Sequence, residues 1–330
     1  MRTKDSEPAD SSAVTIIGLG ELIWDLLPMG KQLGGAPTNF AYISRLLGDQ
    51  AIVASRTGMD ELGREALARL AQMGISTQHL QIDDSHPTGT VDVQIDGRGE
   101  ARFAINENSA WDYLEWTESW SQLAGVADAV CFGTLGQRAK QARETIFRFL
   151  QHTRPSAVRV FDVNLRHSFF DAPMLCQSLE AATIVKLNLE ELNTIAAMLN
   201  LHARNEEAIA RQLLDQFSIE LIAITRGAQG SLLVSPAATA VEHPGFQVEV
   251  TDTIGAGDAF LAALVHFYLR RAPLQLISEA ANRMGAWVAT QAGATPIANS
   301  ETLSQIFAGL RSPHLTYIET FEIWDRGKNL

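Results

Sequence analysis

Short β-branched runs alternate with amphipathic stretches along most of the chain. The runs VTIIGLG, AIVASRTG, DAVCFGTL, VRVFDVN, ATIVKLN and ELIAITRG read as strands. Between them PTNFAYISRLLG, DELGREALARLAQMG and NEEAIARQLLDQF carry apolar residues at helical spacing. Strand and helix in alternation predict an α/β fold, a doubly wound, mostly parallel sheet with helices on both faces. Several strands end on a polar residue or glycine, at Asn164, Asn188 and Gly227. In open parallel sheets that carboxyl edge is where ligands bind.

Two segments break the alternation. In TGTVDVQIDGRGEARFAI, Val91, Val93 and Ile95 alternate with Asp92, Gln94 and Asp96 before a glycine-containing turn, which predicts a hairpin with one apolar face. The other segment, ELIWDLLPMGKQLGG, is an extended run turning at Pro28 to Gly30. Neither suits the interior of a parallel sheet. Together, near 21–34 and 88–105, they predict a small side sheet lying as a lid over the carboxyl edge, a role compatible with an edge extension or a dimer surface. With no repeats and no low-complexity linker, residues 13–330 form one domain, and the polar start 1–12 is expected to be a disordered tail.

Composition narrows the partners more than the fold. The chain has 330 residues, 46% hydrophobic and 19% charged, ordinary for a globular protein. No apolar run approaches the roughly 20 residues that span a bilayer, and the polar start is unlike a signal peptide, so a cytoplasmic protein is expected. A net charge of −12 without a basic block argues against nucleic acid and anionic membranes as partners. It leaves a nucleotide open, because remote acids are screened beyond about 8 Å in physiological salt. Cys131 and Cys176 lie far apart and read as free thiols, and no histidine falls in a metal-ligand spacing.

The candidate chemistry sits at two glycine-rich helix starts. In DTIGAGDAF, Gly255, Ala256 and Gly257 precede a long apolar run. The first turn of a helix has unpaired N–H groups and the positive end of the dipole, and glycines let an anion approach them. Asp258 either complements the dipole or takes a proton from a group attacking the anion. In GGAPTNFAY, Gly34 and Gly35 allow close approach, Pro37 suits a first helical turn, and Asn39 either caps the helix or binds a polyol. Asp25, nearby in sequence, can chelate adjacent hydroxyls. The usual nucleotide fingerprints fail: GLGELI has Ile23 where G-x-G-x-x-G needs glycine, and no G-x-x-x-x-G-K-[ST] occurs.

GGAPTN near the start and DTIGAGD near the end, with DVNLR, KLNLEEL and TRGAQGS between them in that order, resemble the PfkB-type carbohydrate kinases, the ribokinase family, over about residues 14 to 310. Within it, GELIWDLLP followed by GGAPTNFAY looks most like fructokinases. The resemblance implies a ribokinase-like three-layer sandwich with a β-sheet lid. It implies a kinase that moves the γ-phosphoryl group of ATP to a primary hydroxyl of a ketose or furanose, fructose first. The alternatives are a 2-keto-3-deoxygluconate or other sugar-acid kinase and a non-catalytic sugar sensor. Asp258 would take the hydroxyl proton while the Gly255, Ala256 and Gly257 amides stabilise the phosphoryl charge. Asp25, Gly34, Gly35 and Asn39 would hold the sugar under the lid side chain Phe103, and Arg166 would meet phosphate. ATP would lie along Asn188, Thr225, Gly227 and Gly230 with Asn282 near the adenine, and Glu191 would orient Mg²⁺ through water. Family members activated by K⁺ bind it at the positions of Asp252 and the Ile254 carbonyl. Ile297 stands where a hydroxyl residue is frequent, so cation activation is open here, and Asp252 can equally serve the turn alone. A homodimer through the lid is a further expectation.

Overall fold

The computed structural model describes residues 14–27, 30–95, 101–236 and 238–310; the expected tail, 1–12, and the turn at Pro28 and Met29 lie outside the described residues. The chain enters through β1 (Thr15–Leu19), a hairpin of β2 (Ile23–Leu27) and β3 (Gly30–Gly34), and helix α1 (Ala36–Leu46). Strand β4 (Gln50–Ala54), the short β5 (Arg56–Gly58), α2 (Glu61–Gln72) and β6 (Gln81–Asp83) follow, then the hairpin strands β7 (Gly89–Ile95) and β8 (Ala101–Ile105). Next come α3 (Glu118–Val126), β9 (Ala129–Gly133), α4 (Lys140–His152), β10 (Val158–Asp162), α5 (Ala172–Ala181) and β11 (Ile184–Asn188). Two helices, α6 (Leu189–Met198) and α7 (Glu206–Phe217), lead to β12 (Leu221–Thr225), β13 (Ser231–Val234) and β14 (Val241–His243). Helices α8 (Ala256–Leu269), α9 (Leu274–Ala289) and α10 (Ser300–Ile306) close the fold.

The central sheet has eight strands in the order β14-β13-β12-β11-β10-β9-β1-β4. All its pairings are parallel except β12 with β13 and β13 with β14. Alternate residues of each strand go to opposite layers. Ile16, Val160 and Ile184 pack with α1, α8 and α9, whereas Ile17, Phe161 and Val185 pack with α4, α6 and α7. This is the three-layer sandwich the alternation predicts, its apolar runs buried on both faces because helices cover both. Helix α8 is deeply set, with Ala259 to Phe267 buried without a break.

The two irregular segments meet in a four-stranded sheet, β3-β2-β7-β8, in which Asp25 pairs with Gln32 on one side and Val91 on the other. One expected strand divides. AIVASRTG gives β4 in the central sheet and β5 in a separate pair with β6. At Ser55 the side chain turns to donate to the Gly20 carbonyl at 2.6 Å, and Arg56 is drawn away to Asp83 at 3.0 Å and Glu115 at 2.7 Å. Both cysteines are free, as their separation predicts. No helix among the described residues is long and apolar enough to cross a membrane.

Candidate active site

The first glycine-rich helix start is shaped by close packing. A Cβ on Gly18 would lie 2.0 Å from the Pro37 carbonyl oxygen, so the glycine at this point of β1 is what lets α1 sit on the strand. Gly35, with φ of 97°, precedes α1 as its cap, and a Cβ there would meet the Glu21 carbonyl oxygen at 2.6 Å. Gly34 faces Asp25, whose Oδ2 would be 3.0 Å from a Cβ on it. This turn therefore places Asp25, at the centre of β2, and Asn39, in the first turns of α1, at one edge of the central sheet.

The second start is built the same way. Asp252 accepts the Ile254 N–H through Oδ1 at 3.0 Å and the Gly293 N–H through Oδ2 at 3.2 Å, closing the turn before α8. Gly255 then takes a left-handed φ of 77°, and a Cβ on it would lie 2.4 Å from the Ala294 Cβ. Gly255→Ala is expected to cost about 2–4 kcal/mol of stability, from backbone strain and overpacking together, read as a lower urea midpoint. An unchanged midpoint would contradict the packing on Ala294. The Ala256 N–H leans on the Thr253 carbonyl at 3.3 Å. The first helical bond of α8 is made by Ala259, so the amides of Gly257 and Asp258 point out of the first turn without an intrahelical partner.

The two starts, remote in sequence, meet. Asn39 Nδ2 donates to Asp258 Oδ2 at 2.8 Å across 219 residues. Beside them Lys186 from β11 donates to Asp162 Oδ1 at the end of β10, at 3.0 Å, both side chains being buried. A Cβ on Gly257 would lie 3.0 Å from Lys186 Nζ, so the ammonium faces the first turn of α8. Arg166, in the loop after β10, is exposed and holds its own position by donating to the Leu165 carbonyl at 3.0 Å.

The charges tune one another. Burial, reinforced by Asp162, raises Asp258 to about 6 against the opposing pull of Lys186, Asn39 and Arg166. Burial alone would depress the Lys186 ammonium, but Asp162, Glu191 and Asp258 overcome it and hold its pKa above the ordinary lysine value. Asp25 rises to about 6 through burial, with Arg166 pulling the other way. The arrangement is a carboxylate poised as a base near neutral pH, beside unpaired helix amides and a buried cation. That set can remove a proton from a hydroxyl while stabilising an adjacent anion.

The residues expected to line a nucleotide extend along the same edge. Asn188 and Glu191 form a reciprocal cap at the start of α6: Glu191 N–H donates to Asn188 Oδ1 at 2.9 Å and Asn188 N–H to Glu191 Oε2 at 2.8 Å. Glu191 Oε1 also accepts the Leu165 N–H at 3.0 Å, so its carboxylate ties the β10 and β11 ends together. Thr225 ends β12 beside Asn188, its partner in register. Gly227 stands in the open with φ of 58°, whereas a Cβ on Gly230 would meet the His243 carbonyl oxygen at 2.0 Å, a packing need of β14. Asn282 is buried, with Nδ2 donating to Ser231 Oγ at 2.7 Å and the Ser278 carbonyl at 2.8 Å. Ile297 is 87% exposed. The Phe103 side chain lies outside the described residues.

Sequence reasoning missed Asp162, Lys186 and Glu21 as site residues. The first two had a readable signal: a charge inside the largely buried runs VRVFDVN and ATIVKLN is costly unless paired.

The profile of the pfkB family of carbohydrate kinases matches residues 18–301. A fructokinase of Salmonella typhimurium is 33% identical over 263 residues, 75% of this chain and 82% of that protein. An uncharacterized sugar kinase of Pyrococcus horikoshii in complex with ATP superposes with a TM-score of 0.72 at 27% identity, covering 86% of this chain and 94% of the other. A fructokinase of Xylella fastidiosa with bound ATP superposes with a TM-score of 0.75 at 25% identity, covering 89% and 98% of the two chains.

Proposed function

The chain belongs to the pfkB family of carbohydrate kinases, enzymes that transfer phosphate to a sugar hydroxyl, and from that premise we propose that its acceptor is a neutral ketose or furanose, fructose first, phosphorylated by ATP at a primary hydroxyl. The observation that carries this reading is the 2.8 Å contact between Asn39 and Asp258, which joins a polyol-type helix start to an anion-type one. Asp25 and Asn39 hold the sugar with the Gly34 and Gly35 backbone. Asp258 takes the proton of the attacking hydroxyl as its oxygen bonds to the γ-phosphorus and the bond to the β–γ bridging oxygen breaks, the electron pair leaving on ADP. The Gly257 amide and the Lys186 ammonium stabilise the transferring group, and Arg166 meets phosphate from the exposed side. The nucleotide lies past Asn188, Thr225 and Gly227.

Among the described residues no group of three or more His, Cys, Asp or Glu is placed to hold a metal ion. Mg²⁺ arriving on ATP would have Glu191 behind a water, and would supply positive charge that neutralises the phosphates. Asp252 with the Ile254 carbonyl is the place for K⁺ in this reading, its carboxylate keeping lone pairs beyond those given to the Ile254 and Gly293 amides. A homodimer through the side sheet belongs to the same reading. Helix α2 already covers part of the β2–β3 half, where Trp24 Nε1 donates to the Leu62 carbonyl at 2.9 Å and Lys31 pairs with Glu65 at 2.5 Å.

A sugar-acid substrate would need a further free cation near the sugar. Arg166, the cation that acts on Asp25, is given to phosphate in this reading, and Arg138 is spent on Asp112 at 2.7 Å and stacks on Trp111. A non-catalytic sensor would have no use for the poised Asp258. The test is sugar-dependent ADP release with fructose, ribose, glucose and 2-keto-3-deoxygluconate. Fructose is expected to give the highest kcat/KM, and a preference for the sugar acid would overturn the assignment. Asp25→Ala is expected to raise the sugar KM about tenfold or more and leave the ATP KM unchanged, since each hydrogen bond to a charged group is worth roughly 1.5–3 kcal/mol. Loss of ATP binding instead would place the sugar elsewhere.

A further inference from the structure

Glu21 has no part in the chemistry above, yet it is among the most buried ionisable groups of the site, 2% exposed. It lies two residues past the end of β1 and is walled by backbone. A Cβ on Gly136, in the turn after β9, would lie 3.2 Å from Glu21 Oε2, and a Cβ on Gly35 would lie 3.5 Å from its Cγ. Its Oε2 has no hydrogen-bond partner among the described residues. An unpaired carboxylate in such a place is far costlier than the neutral acid. The groups that face it are Asp258 from α8, Asp162 from β10, Arg166 from the following loop and the Cys131 thiol of β9. Two of these are acids, and the arginine lies on the exposed side.

We infer that Glu21 is a positioning residue of the phosphoryl transfer, a buried neutral carboxylic acid that holds the Gly35 and Gly136 turns against the end of β1 and keeps the floor beside Asp258 free of a second negative charge. This rests on the kinase reading of the same site. Burial, with the Asp258 and Asp162 charges adding to it against Arg166, raises Glu21 to about 7. Asp258 accepts from Asn39 and lies near the Lys186 ammonium, whereas Glu21 Oε2 has no donor among the described residues, so Asp258 ionises first and its charge helps keep the proton on Glu21. The working state is Asp258 ionised with Glu21 neutral, two acids driven apart by their surroundings. When Glu21 loses its proton, the new charge opposes the Asp258 anion and the incoming phosphate.

The test is the pH profile of kcat/KM for the sugar in the wild type and in Glu21→Gln, which keeps shape and neutrality. The wild type is expected to decline roughly tenfold from pH 7 to pH 8.5, and Glu21→Gln to match it near pH 6.5 and to lose most of that decline. The same alkaline limb in Glu21→Gln, or a variant inactive at every pH while melting normally, would overturn the inference. A second measurement stands apart from catalysis and from the folding of the variant under assay conditions. Carbon-13 spectra of glutamate-labelled wild type are expected to show one buried carboxyl still protonated at pH 6.5, missing from labelled Glu21→Gln. If every glutamate titrates near its ordinary value, the inference fails while the kinase reading stands. Absence of sugar kinase activity in the wild type overturns the kinase reading and, with it, the role in transfer.

Discussion

Asp258→Asn is expected to fold as the wild type does and to turn over about 10² to 10⁴ times more slowly, the usual loss on removing a general base. Asparagine fills the same volume at the third position of α8 and still offers an oxygen to Asn39 Nδ2. What it lacks is the capacity to accept a proton. The carboxylate is held at about 6 by burial and Asp162 against Lys186, so at neutral pH it is ionised and basic enough to relieve the hydroxyl as the new bond forms. The KM for ATP is expected to stay within about twofold, because the amides of the turn are untouched. Steady-state kinetics at matched melting temperature is the check, and near wild-type turnover would remove Asp258 from the chemistry.

Lys186→Met is expected to fail twice. It leaves Asp162 buried without its partner, a defect worth about 3–5 kcal/mol when one member of a buried pair is removed. It also takes a positive charge from beside Gly257, where phosphoryl charge develops, for a loss of about 10² or more in kcat. The double variant Asp162→Asn/Lys186→Met separates the two roles. Removing both charges is expected to restore most of the stability, read by urea denaturation, and none of the turnover. Turnover that recovers together with stability would make Lys186 a structural residue only.

Much of this was legible in the sequence, for physical reasons that differ by element. The central strands and amphipathic helices announced themselves through periodicity, and the side sheet through its failure to fit them. Strands β6, β13 and β14 were not anticipated: with 3, 4 and 3 residues they are too short to carry a period. The break of AIVASRTG at Ser55 depends on a hydrogen bond to Gly20, which no local pattern encodes. In the site, Asp25, Asn39 and Asp258 could be named because glycines mark the helix starts that carry or follow them. Glu21 could not, and Asp162 and Lys186 showed only as charges inside apolar runs, because the weight of all three arises from which charges the sheet edge brings together. Gly230, which the family resemblance sets along ATP, also answers to the backbone of His243, a packing need that no local pattern shows.

The most direct test of the central claim, that the junction of Asn39 and Asp258 is a phosphoryl-transfer centre for a sugar hydroxyl, is phosphorus-31 NMR of the full chain with ATP, Mg²⁺ and fructose. The γ-phosphate signal is expected to pass into a phosphate monoester on a primary carbon, one for each ADP formed, in the wild type and at a strongly reduced rate in Asp258→Asn. ATP left intact, or a γ-phosphate that appears only as inorganic phosphate at the same rate with and without sugar, would contradict it.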